Sequence, residues 1–390
     1  MLRRVACAIS GGVDSAVSAL LMKQKGYDVV GVFMKNWDLL NEHGNCTLDK
    51  DRDDAIDVCG KLGIPFHEVS FVKEYWNDVF VPMLGEYENG QTPNPDVMCN
   101  RHIKFDALVN YAVNTLGVDS VATGHYARIS GGNDLSKWNP HEERKLLKAS
   151  DTWKDQTLFL SRIQQAGLRR AIFPIGGLQK TKVKDIARGT GLERIANKKE
   201  SVGICFIEQK KFHSFIEQYI EPKNGQFICV ETGKVIGEHK GTHYWTVGQC
   251  AKIGGYNVKY FIVHIDPESQ NITVAAGTHH PALFSTSLST ELPHWISQPP
   301  CDFTSQSDST SFKCQFRFQH IHPIIDCQVH HHGNRLDVDL NFPLRALTSG
   351  QYAVFYNDLE CLGSAKILHP GPSLYDMDHR EPVNIPKAFS

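Results

Sequence analysis

The sequence predicts an α/β fold: a doubly wound parallel-sheet domain, followed by a small β-rich central domain and a C-terminal β-barrel. From residue 1 to about 125, short apolar runs alternate with amphipathic stretches, which is typical of βαβ units in a parallel sheet. From about Gly225, β-rich segments separated by glycine turns replace the helical periodicity. The length of 390 residues exceeds one ordinary hydrophobic core and favours two or three domains.

Hydrophobic periodicity defines the elements of the first domain. Apolar runs predict strands at Val5–Ile9, Val29–Phe33, Phe66–Phe71 and Asp119–Thr123. Helical spacing predicts helices at Asp49–Leu62 and Arg101–Leu116, the second with one buried face made of Phe105, Leu108, Val109, Ala112, Val113 and Leu116. Residues 130–145 are polar and rich in turn formers, so they predict an insertion loop.

The change in pattern along the chain predicts the domain boundaries. We expect a catalytic domain at residues 1–221, the central β domain at 222–284 and the barrel at 285–369. In the barrel, hairpin turns such as Tyr356-Asn357-Asp358 separate alternating strands. Residues 370–390 are rich in proline and charge and predict a loose tail.

Composition excludes several classes of protein. No window approaches the roughly 18 apolar residues of a membrane span, and a net charge of −2 with a pI near 6.8 confines any nucleic-acid contact to local basic patches. Eleven cysteines without a C-x-x-C pair fit neither a disulfide framework nor a zinc site and suit a reducing compartment. The run His330–His332 lies in a turn-rich segment where no acid or thiol completes a convincing metal site, so we expect no resident metal. Met1–Arg4 is too short for a signal or transit peptide, although its basic character is compatible with import.

The segment Ser10-Gly11-Gly12-Val13-Asp14-Ser15 joins a predicted strand to a predicted helix. Its glycines allow the backbone to approach an anion, while helix amides and serine hydroxyls supply donors for phosphate oxygens. The segment fits neither G-x-x-x-x-G-K-[ST] nor G-x-G-x-x-G. It therefore predicts a phosphate cradle of another kind, with an ordinary strand-to-helix turn as the alternative.

This SGGVDS segment resembles the signature of the pyrophosphatase-loop ATPases. The resemblance implies an adenine-nucleotide α-hydrolase-like domain that cleaves ATP between its α and β phosphates and transfers AMP to a carbonyl or amide oxygen. It implies that Asp14 helps hold the Mg²⁺ that accompanies ATP, whereas Met34 would equally suit a core or loop position from the sequence alone. The implied nucleotide contacts are Ala8, Ile9, Ser10, Gly11, Gly12, Val13, Asp14, Ser15, Met34 and Gly124.

Two cysteines are candidates for covalent chemistry. Cys99 lies in TPNPDVMCN, where prolines stiffen a loop just before the predicted helix, and the positive end of a helix dipole lowers a thiol pKa. An incidental thiol in a helix-capping loop is the alternative. Cys205 lies in the apolar run SVGICFI, in which a buried inert cysteine is the more common outcome.

From residue 5 to about 368, the chain resembles the family of tRNA-specific 2-thiouridylases. The segment from FMKNWD to EHGNC and the stretch DKDRDDA are more similar to the mitochondrial branch than to the bacterial one, which implies a mitochondrial location, with the cytoplasm as the alternative. The landmarks, in order, are SGGVDS (10–15), FMKNWD (33–38), NPDVMCN (94–100), IKF (103–105), ATGHYAR (122–128), KDQ (154–156), GICFI (203–207), GQ (248–249), GQYAVFY (350–356) and CLG (361–363).

The family resemblance implies ATP-dependent 2-thiolation of the wobble uridine of tRNA, through adenylation of the C2 oxygen and sulfur transfer from a cysteine persulfide. Cys205 would carry the persulfide, Cys99 would be its partner nucleophile and disulfide partner, and Asp96 would act as acid or base. Implied partners are tRNA and a sulfur-donor protein, a cysteine desulfurase or a relay, with the enzyme itself a monomer and no membrane involved. Phe318 would be available to stack on an unpaired base. The implied tRNA contacts are Asn94, Pro95, Asp96, His125, Lys154, Asp155, Gln156, Arg317, Phe318 and Gln351.

Alternative interpretations remain for the basic residues and for the activity. Lys182, Lys184, Arg188, Arg194, Lys198 and Lys199 predict either a strip that follows an RNA backbone or a solvated helix face. A pyrophosphatase-loop amidotransferase or lysidine-type synthetase would share the adenylation but use nitrogen, and would not require both cysteines. A catalytically inactive RNA-binding protein with the same fold is a third hypothesis, which the complete SGGVDS segment argues against.

Overall fold

The computed structural model describes residues 3–37, 47–199, 212–300, 310–384 and 386. The chain divides into two compact units. Unit 1 comprises Met1–Phe80, Pro95–Gln209 and Leu359–Leu362, and unit 2 comprises Val81–Asn94, Lys210–Asp358 and Gly363–Ser390. None of the helices in the described ranges is both long and apolar enough to cross a bilayer.

Unit 1 is built on a five-stranded parallel sheet in the order β3-β2-β1-β4-β7. The predicted parallel sheet and its four strands are confirmed. The continuous apolar, buried runs of β1 and β2 are typical of strands covered on both faces. The sheet order reverses direction at β1, so the loops after β1 and β4 open onto the same crevice. The strands of this unit are β1 (Arg4–Ala8), β2 (Asp28–Lys35), β3 (Phe66–Ser70), β4 (Ser120–Ala122), β5 (Arg128–Ile129), β6 (Leu146–Leu147) and β7 (Ala171–Ile172).

Helices cover this sheet, and two further helices, Val81–Glu88 and Phe212–Ile216, belong to unit 2. Helix α1 buries Val13, Val17 and Leu20 in the core against the sheet. The α-helices of the described residues are α1 (Val13–Gln24), α2 (Thr47–Leu62), α3 (Val72–Tyr75), α4 (Val81–Glu88), α5 (Pro95–Met98), α6 (Leu108–Asn114), α7 (Thr157–Leu160), α8 (Gln165–Arg170), α9 (Lys180–Arg188), α10 (Glu193–Ala196) and α11 (Phe212–Ile216), with π-helical turns at Trp76–Phe80 and Cys99–Ala107 and 3₁₀ turns at Leu135–Lys137, Thr242–Tyr244 and Pro281–Leu283.

The helix predicted to begin at Arg101 begins earlier. Helix α5 starts at Pro95 and continues through the π-helical stretch into α6, with Met98 itself in helical conformation. A proline suits the first position of a helix because it has no amide hydrogen to lose there. Cys99 therefore lies one turn inside the helical run, and the expectation that it benefits from the helix start is wrong, since the dipole effect fades beyond the first turn.

Unit 2 contains a mainly antiparallel sheet in the order β10-β11-β12-β8-β9, in which only β12 and β8 run parallel. Its core is made of Phe227, Tyr260, Ile262, Ile272 and Val274. The strands are β8 (Gly225–Cys229), β9 (Val235–His239), β10 (Cys250–Ala251), β11 (Tyr260–Asp266) and β12 (Asn271–Ala276).

Unit 2 also contains a closed six-stranded barrel, which confirms the predicted C-terminal barrel. Its strand order is β13-β17-β16-β15-β18-β19, and pairing between β13 and β19 closes it. The short end of the last hairpin, Leu359–Leu362, belongs to unit 1, where Glu360 and Cys361 pair with β6. The strands are β13 (Phe284–Glu291), β14 (His294–Trp295), β15 (Thr310–Arg317), β16 (Ile325–His332), β17 (Arg335–Arg345), β18 (Tyr352–Asn357) and β19 (Glu360–Pro370).

The tail after β19 is not loose over its described length. The amides of Gly371 and Leu374 donate to carbonyl oxygens of Ser287 and Phe284 at 2.8 and 2.9 Å, and Val383 is buried. Composition alone did not indicate this, because proline-rich chain can pack when an apolar residue such as Val383 finds a core.

The segment Val81–Asn94 lies in unit 2, although the sequences on both sides of it lie in unit 1. Glu86 pairs with Lys366 of β19 at 2.9 Å, and the ring of Tyr87 lies 5.6 Å from that of Phe212. The amide of Thr92 donates to the carbonyl of Ser349 at 2.9 Å. This exchange of segments depends on contacts more than 100 residues apart, so no local sequence pattern predicted it.

Candidate active site

The phosphate loop lies between β1 and α1, at the carboxyl edge of the parallel sheet. Ser15 Oγ donates to the Gly12 carbonyl at 3.0 Å and accepts from the Ser10 amide at 3.2 Å, which closes the loop on itself. Gly12 precedes α1, and no side chain caps that helix. Because the first amides of a helix have no partner within it, they remain available to an anion at this point.

Two glycines allow neighbouring backbone to pack against the loop. Gly11 has φ +70°, and a Cβ there would lie 2.5 Å from the carbonyl oxygen of Asp51. Gly124, which follows β4, would place a Cβ 2.7 Å from the Ser15 amide nitrogen. The structure thus brings Gly124 to the same loop as Asp14 and Ser15, as the sheet order requires. Of the remaining nucleotide-contact candidates, Ala8 ends β1, Ile9 and Val13 are buried, and Met34 lies half-buried near the carboxyl end of β2.

Asp14 is held by two residues that sequence reasoning missed. Lys180 Nζ donates to both carboxylate oxygens of Asp14, at 2.8 and 2.7 Å, and Tyr126 donates its hydroxyl at 3.0 Å. The Lys180 side chain is 11% exposed, so this ion pair is largely shielded from water. Only the position of Lys180 at the start of a helix could have drawn attention to it, because 166 residues separate it from Asp14.

The other side of the loop is tied to α2 by part of the basic strip. Lys198 Nζ donates to the Gly11 carbonyl at 3.2 Å and to Asp51 Oδ1 at 2.7 Å, while Arg194 pairs with Asp54. Burial raises the pKa of Asp54, but hydrogen bonds from Lys198 and Arg194 outweigh it, so the pKa lies below its ordinary value. Lys198 and Arg194 are thus held in ion pairs with α2, and the RNA-backbone role of the basic strip stays a prediction.

Asp96 and Cys99 share one side of the helical run that begins at Pro95, since three residues separate them. Cys99 is buried, and burial raises the pKa of Asp96 against the opposing effect of the Lys104 cation. The next residue, Asn100, donates from Nδ2 to the Phe159 carbonyl at 3.0 Å and so fixes this helix against α7. A carboxyl group with a raised pKa suits proton transfer near neutral pH.

His125 follows Gly124 and lies beside the same helical run. Its Nδ1 is 2.8 Å from Thr123 Oγ1, and its ring centroid is 5.7 Å from that of Phe105. Burial lowers the pKa of His125 well below its ordinary value, and the Lys104 cation lowers it further. The surroundings of His125 therefore disfavour its protonated form.

In the segment Lys154-Asp155-Gln156, Lys154 is half-buried and the other two residues make defined hydrogen bonds. Asp155 is buried and accepts from the Ala149 amide and the Thr157 hydroxyl at 3.0 and 2.8 Å. Gln156 accepts from the Tyr126 amide at 2.9 Å through Oε1. In this conformation Asp155 and Gln156 support the turn.

In unit 2, Gln351 binds the loop that carries Asn94. Gln351 Nε2 donates to the carbonyls of Thr92 and Pro93 at 2.8 and 3.2 Å, and its Oε1 accepts from Asn94 at 3.2 Å. Gly350 has φ +90°, and a Cβ there would lie 2.9 Å from the Thr92 carbonyl oxygen. The turn of the barrel and the loop are thus in close contact, and Gln351 acts on the loop directly.

Arg317 and Phe318 are both buried in unit 2. Phe318 is 1% exposed and stacks on Phe316 with ring centroids 6.1 Å apart. Arg317 is also buried and donates to the Tyr356 hydroxyl at 3.1 Å. The expectation that Phe318 is available to stack on a base is wrong for this conformation, because alternation along β15 turns apolar side chains inward and Phe318 directly follows that strand.

Cys205 and its segment GICFI lie outside the described residues, so the structure says nothing of them. Among the described residues, no group of three or more His, Cys, Asp and Glu side chains is arranged to hold a metal ion. His330 faces Asp339 at 3.3 Å and His332 faces Asp337 at 3.8 Å, each as a pair.

Three family models match consecutive parts of the chain. They are described as a tRNA methyl transferase HUP domain, matching residues 3–209, a tRNA methyl transferase PRC-barrel domain, matching 213–276, and an aminomethyltransferase beta-barrel domain, matching 285–367. The first model covers the unit 1 sheet with its phosphate loop, and the other two cover the β-rich parts of unit 2.

Curated relatives match along almost the whole chain. The mitochondrial tRNA-specific 2-thiouridylase 1 of Drosophila melanogaster is 47% identical over 375 residues, covering 95% of each chain. That of Homo sapiens is 48% identical over 393 residues, covering 96% of this chain and 93% of the relative. The chain belongs to the tRNA-specific 2-thiouridylase family. A bacterial 2-thiouridylase, MnmA of Streptococcus pyogenes serotype M1, is 44% identical over 370 residues, covering 93% of this chain and 95% of the relative.

The family resemblance stated from the sequence is confirmed. So is its mitochondrial branch, because the Drosophila and human mitochondrial 2-thiouridylases, at 47% and 48%, match with higher identity than the bacterial one at 44%. This 2-thiouridylase is therefore a mitochondrial protein.

Proposed function

We propose that the protein catalyses ATP-dependent 2-thiolation of the wobble uridine of tRNA. The observation that carries the proposal is the phosphate loop at the end of β1, with Gly124 packed against it and Asp14 at its centre. Within the same unit, Asp96 and Cys99 occupy one side of the helical run that begins at Pro95. Family membership supplies the substrate class, since the relatives are named for tRNA 2-thiolation.

The first step is activation of the base. The C2 oxygen of uridine is a very poor leaving group, and transfer of AMP to it with release of pyrophosphate converts it into a good one. The loop amides and the first turn of α1 would bind the phosphates of ATP. Asp14, an oxygen donor at the opening of the loop, suits the Mg²⁺ that neutralises phosphate charge when bound, and Lys180 supplies a protein cation at the same place.

The second step is sulfur transfer. The terminal sulfur of a persulfide on Cys205 forms a bond to C2, and the C2 oxygen departs with AMP. Attack of the Cys99 thiolate on the inner sulfur then breaks the S–S bond and leaves a Cys99–Cys205 disulfide. In the alternative route, Cys99 attacks first and releases a hydrosulfide, which is the species that attacks C2. In both routes Asp96 accepts or donates the proton, and an external thiol later reduces the disulfide.

We propose that residues of each unit contact the tRNA. We propose contacts from Asn94, Pro95, Asp96, His125 and Lys154 near the base, with Asp155 and Gln156 supporting that turn and Gln351 shaping the loop of Asn94. Arg317 and Phe318 remain candidates only if their strand rearranges on binding, because both are buried. We propose residues 1–221, 222–284 and 285–369 as the functional domains. We also propose that the protein is a monomer and that a cysteine desulfurase or relay protein donates the sulfur.

A reconstituted thiolation assay tests the proposal. Wild type, Cys205→Ala and Cys99→Ala are incubated with ATP, unmodified tRNA and a persulfide donor, and products are separated on a mercury-affinity gel. We expect wild type to form 2-thiouridine, Cys205→Ala to form pyrophosphate but no thiolated tRNA, and Cys99→Ala to stall with sulfur on Cys205. Normal thiolation by Cys205→Ala would refute the carrier role, and pyrophosphate without any thiolation by wild type would favour a nitrogen-transfer enzyme.

A further inference from the structure

Trp153 is the most exposed large apolar side chain among the described residues. It is 84% exposed, whereas Trp37 and Trp138 are buried and Trp76 is 37% exposed. An indole in water keeps a large apolar face exposed, and a partner that stacks on it would remove that face from water.

The backbone that carries Trp153 is fixed by a buried aspartate. Asp151 Oδ1 accepts from the amides of Trp153 and Lys154, both at 3.2 Å, and its Oδ2 accepts from the Lys180 amide at 2.9 Å. Asp151 itself is 6% exposed. The indole is therefore presented by a rigid turn, which lowers the entropic cost of binding through it.

The same turn is attached to the phosphate loop by two routes. The Lys180 amide donates to Asp151, and the Lys180 ammonium group donates to Asp14. Gln156 accepts from the Tyr126 amide, and the Tyr126 hydroxyl binds Asp14. Trp153 is thus anchored to the residues that surround the site of adenylation, within unit 1.

An exposed ring beside a cation is the combination that recognises unpaired RNA. Every base has a face that can stack on an indole, and a neighbouring lysine can follow the phosphate of the same nucleotide. Lys154 is the neighbour here, and the acidic side chain of the turn, Asp151, is buried beneath it. Among possible occupants, an unpaired base fits this pairing of an aromatic face with a cation better than an apolar protein surface does.

We propose that Trp153 is a stacking platform for an unpaired base of the tRNA anticodon loop, close to the uridine that is thiolated. This inference rests on the proposed function, because it requires tRNA as the substrate. Trp153 supplies the face, Lys154 supplies phosphate contact, and Asp151 sets the geometry of both.

The test is equilibrium binding of unmodified tRNA at several salt concentrations. We expect Trp153→Ala to raise Kd by about 5- to 100-fold, the range of one lost base stack, without changing the slope of log Kd against log salt. Trp153→Phe should stay within about threefold of wild type, because it keeps a ring. Lys154→Gln should instead reduce the slope by about 0.7 to 0.9, as expected for one lost phosphate contact. Tyr256→Ala, which removes another exposed aromatic ring, 45% exposed, is the matched control and should bind as wild type.

A second measurement locates the base. Single abasic substitutions are introduced along the anticodon loop, and each is combined with Trp153→Ala. At the stacked position the two losses should not add, because they remove the same contact, whereas at other positions they should add. Additivity at every position overturns the proposal. Unchanged tRNA affinity of Trp153→Ala also overturns the proposal, even if that variant loses sulfur loading from the donor protein. If wild type itself neither binds nor thiolates tRNA, the proposed function fails instead, so the two failures are distinguishable.

Discussion

At the scale of single residues, the least expected feature is the position of Lys180. Both oxygens of Asp14 are occupied by its ammonium group, so in this conformation a protein cation stands where the carboxylate would meet magnesium. If Asp14 holds the Mg²⁺ proposed to accompany ATP, binding would exchange Lys180 for that ion at the carboxylate. We propose that the displaced ammonium group would stay beside the phosphates, where a positive charge stabilises the departing pyrophosphate.

Replacement of Lys180 by methionine tests that role. Methionine keeps an unbranched side chain and removes the charge, so we expect pyrophosphate formation with tRNA to fall by about 10²- to 10³-fold, as for loss of one preorganised electrostatic contact. Lys182→Met is the control, because Lys182 lies on the same helix and is exposed. The role is refuted if Lys180→Met releases pyrophosphate at the rate of the control.

Residue type predicted some members of the site and not others. The glycines and serines of SGGVDS could be identified from the sequence, because few functions other than phosphate binding need them in that order after a strand. Lys180 and Tyr126 do not, since their importance comes from meeting Asp14 across a tertiary contact. The prediction that Phe318 is available to a base was wrong for this conformation, because an aromatic residue next to an arginine suits the buried interior as well as it suits RNA.

At the scale of elements, α2 and α10 form a brace for the phosphate loop. Asp54 of α2 is 3% exposed and binds Lys198, just beyond α10, and Arg194, within it, while Lys198 also holds the Gly11 carbonyl. Periodicity predicted α2 correctly, but it could not show that its acidic side chains face two cations 140 or more residues away. The sequence shows which charged residues are present, but only the tertiary structure shows which of them form ion pairs.

Asp54→Asn should weaken this brace. Removing the charge leaves Lys198 and Arg194 without their shared partner, and we expect the free energy of unfolding at pH 7 to fall by about 1–3 kcal/mol, less than for a fully buried pair because both cations are partly solvated. Asp57→Asn, whose side chain is 35% exposed, is the control and should cost under about 1 kcal/mol.

The pH dependence of the Asp54 contribution has a definite sign. The pKa of Asp54 is lowered in the folded protein, so its contribution is complete above the ordinary value of 3.8 and disappears as pH falls through the folded-state value. The difference between wild type and Asp54→Asn in thermal unfolding should therefore shrink below pH 3.8. A constant difference across that range would show that Asp54 is not held as a carboxylate by this pair.

At the scale of the whole molecule, the two units are interleaved along the chain. Periodicity predicted the sheet, the central β part and the barrel, because each is encoded by local runs. It did not predict that Val81–Asn94 packs in unit 2, since that depends on Glu86 meeting Lys366 and on Gly350 leaving room for Thr92. The loop before Asp96 therefore obtains its shape from residues near the end of the chain.

Gln351→Ala tests this long-range support. Loss of its hydrogen bonds to Thr92, Pro93 and Asn94 should release the loop, lowering kcat/KM for tRNA by about 10- to 100-fold, which corresponds to one to two hydrogen-bonded contacts. Gln328→Ala, a partly buried glutamine on another strand of the barrel, is the control. Equal thiolation kinetics in the two variants would show that the barrel turn at Gln351 does not affect the reaction.

Gln351 is joined to Thr92 across 259 positions of chain, and this has a consequence for biosynthesis. The phosphate loop, α1 and the first strands leave the ribosome early and can pair locally, but the loop that precedes Asp96 must wait until the last hairpin has been translated. A nascent or prematurely terminated chain would hold the nucleotide cradle without a finished approach to the base.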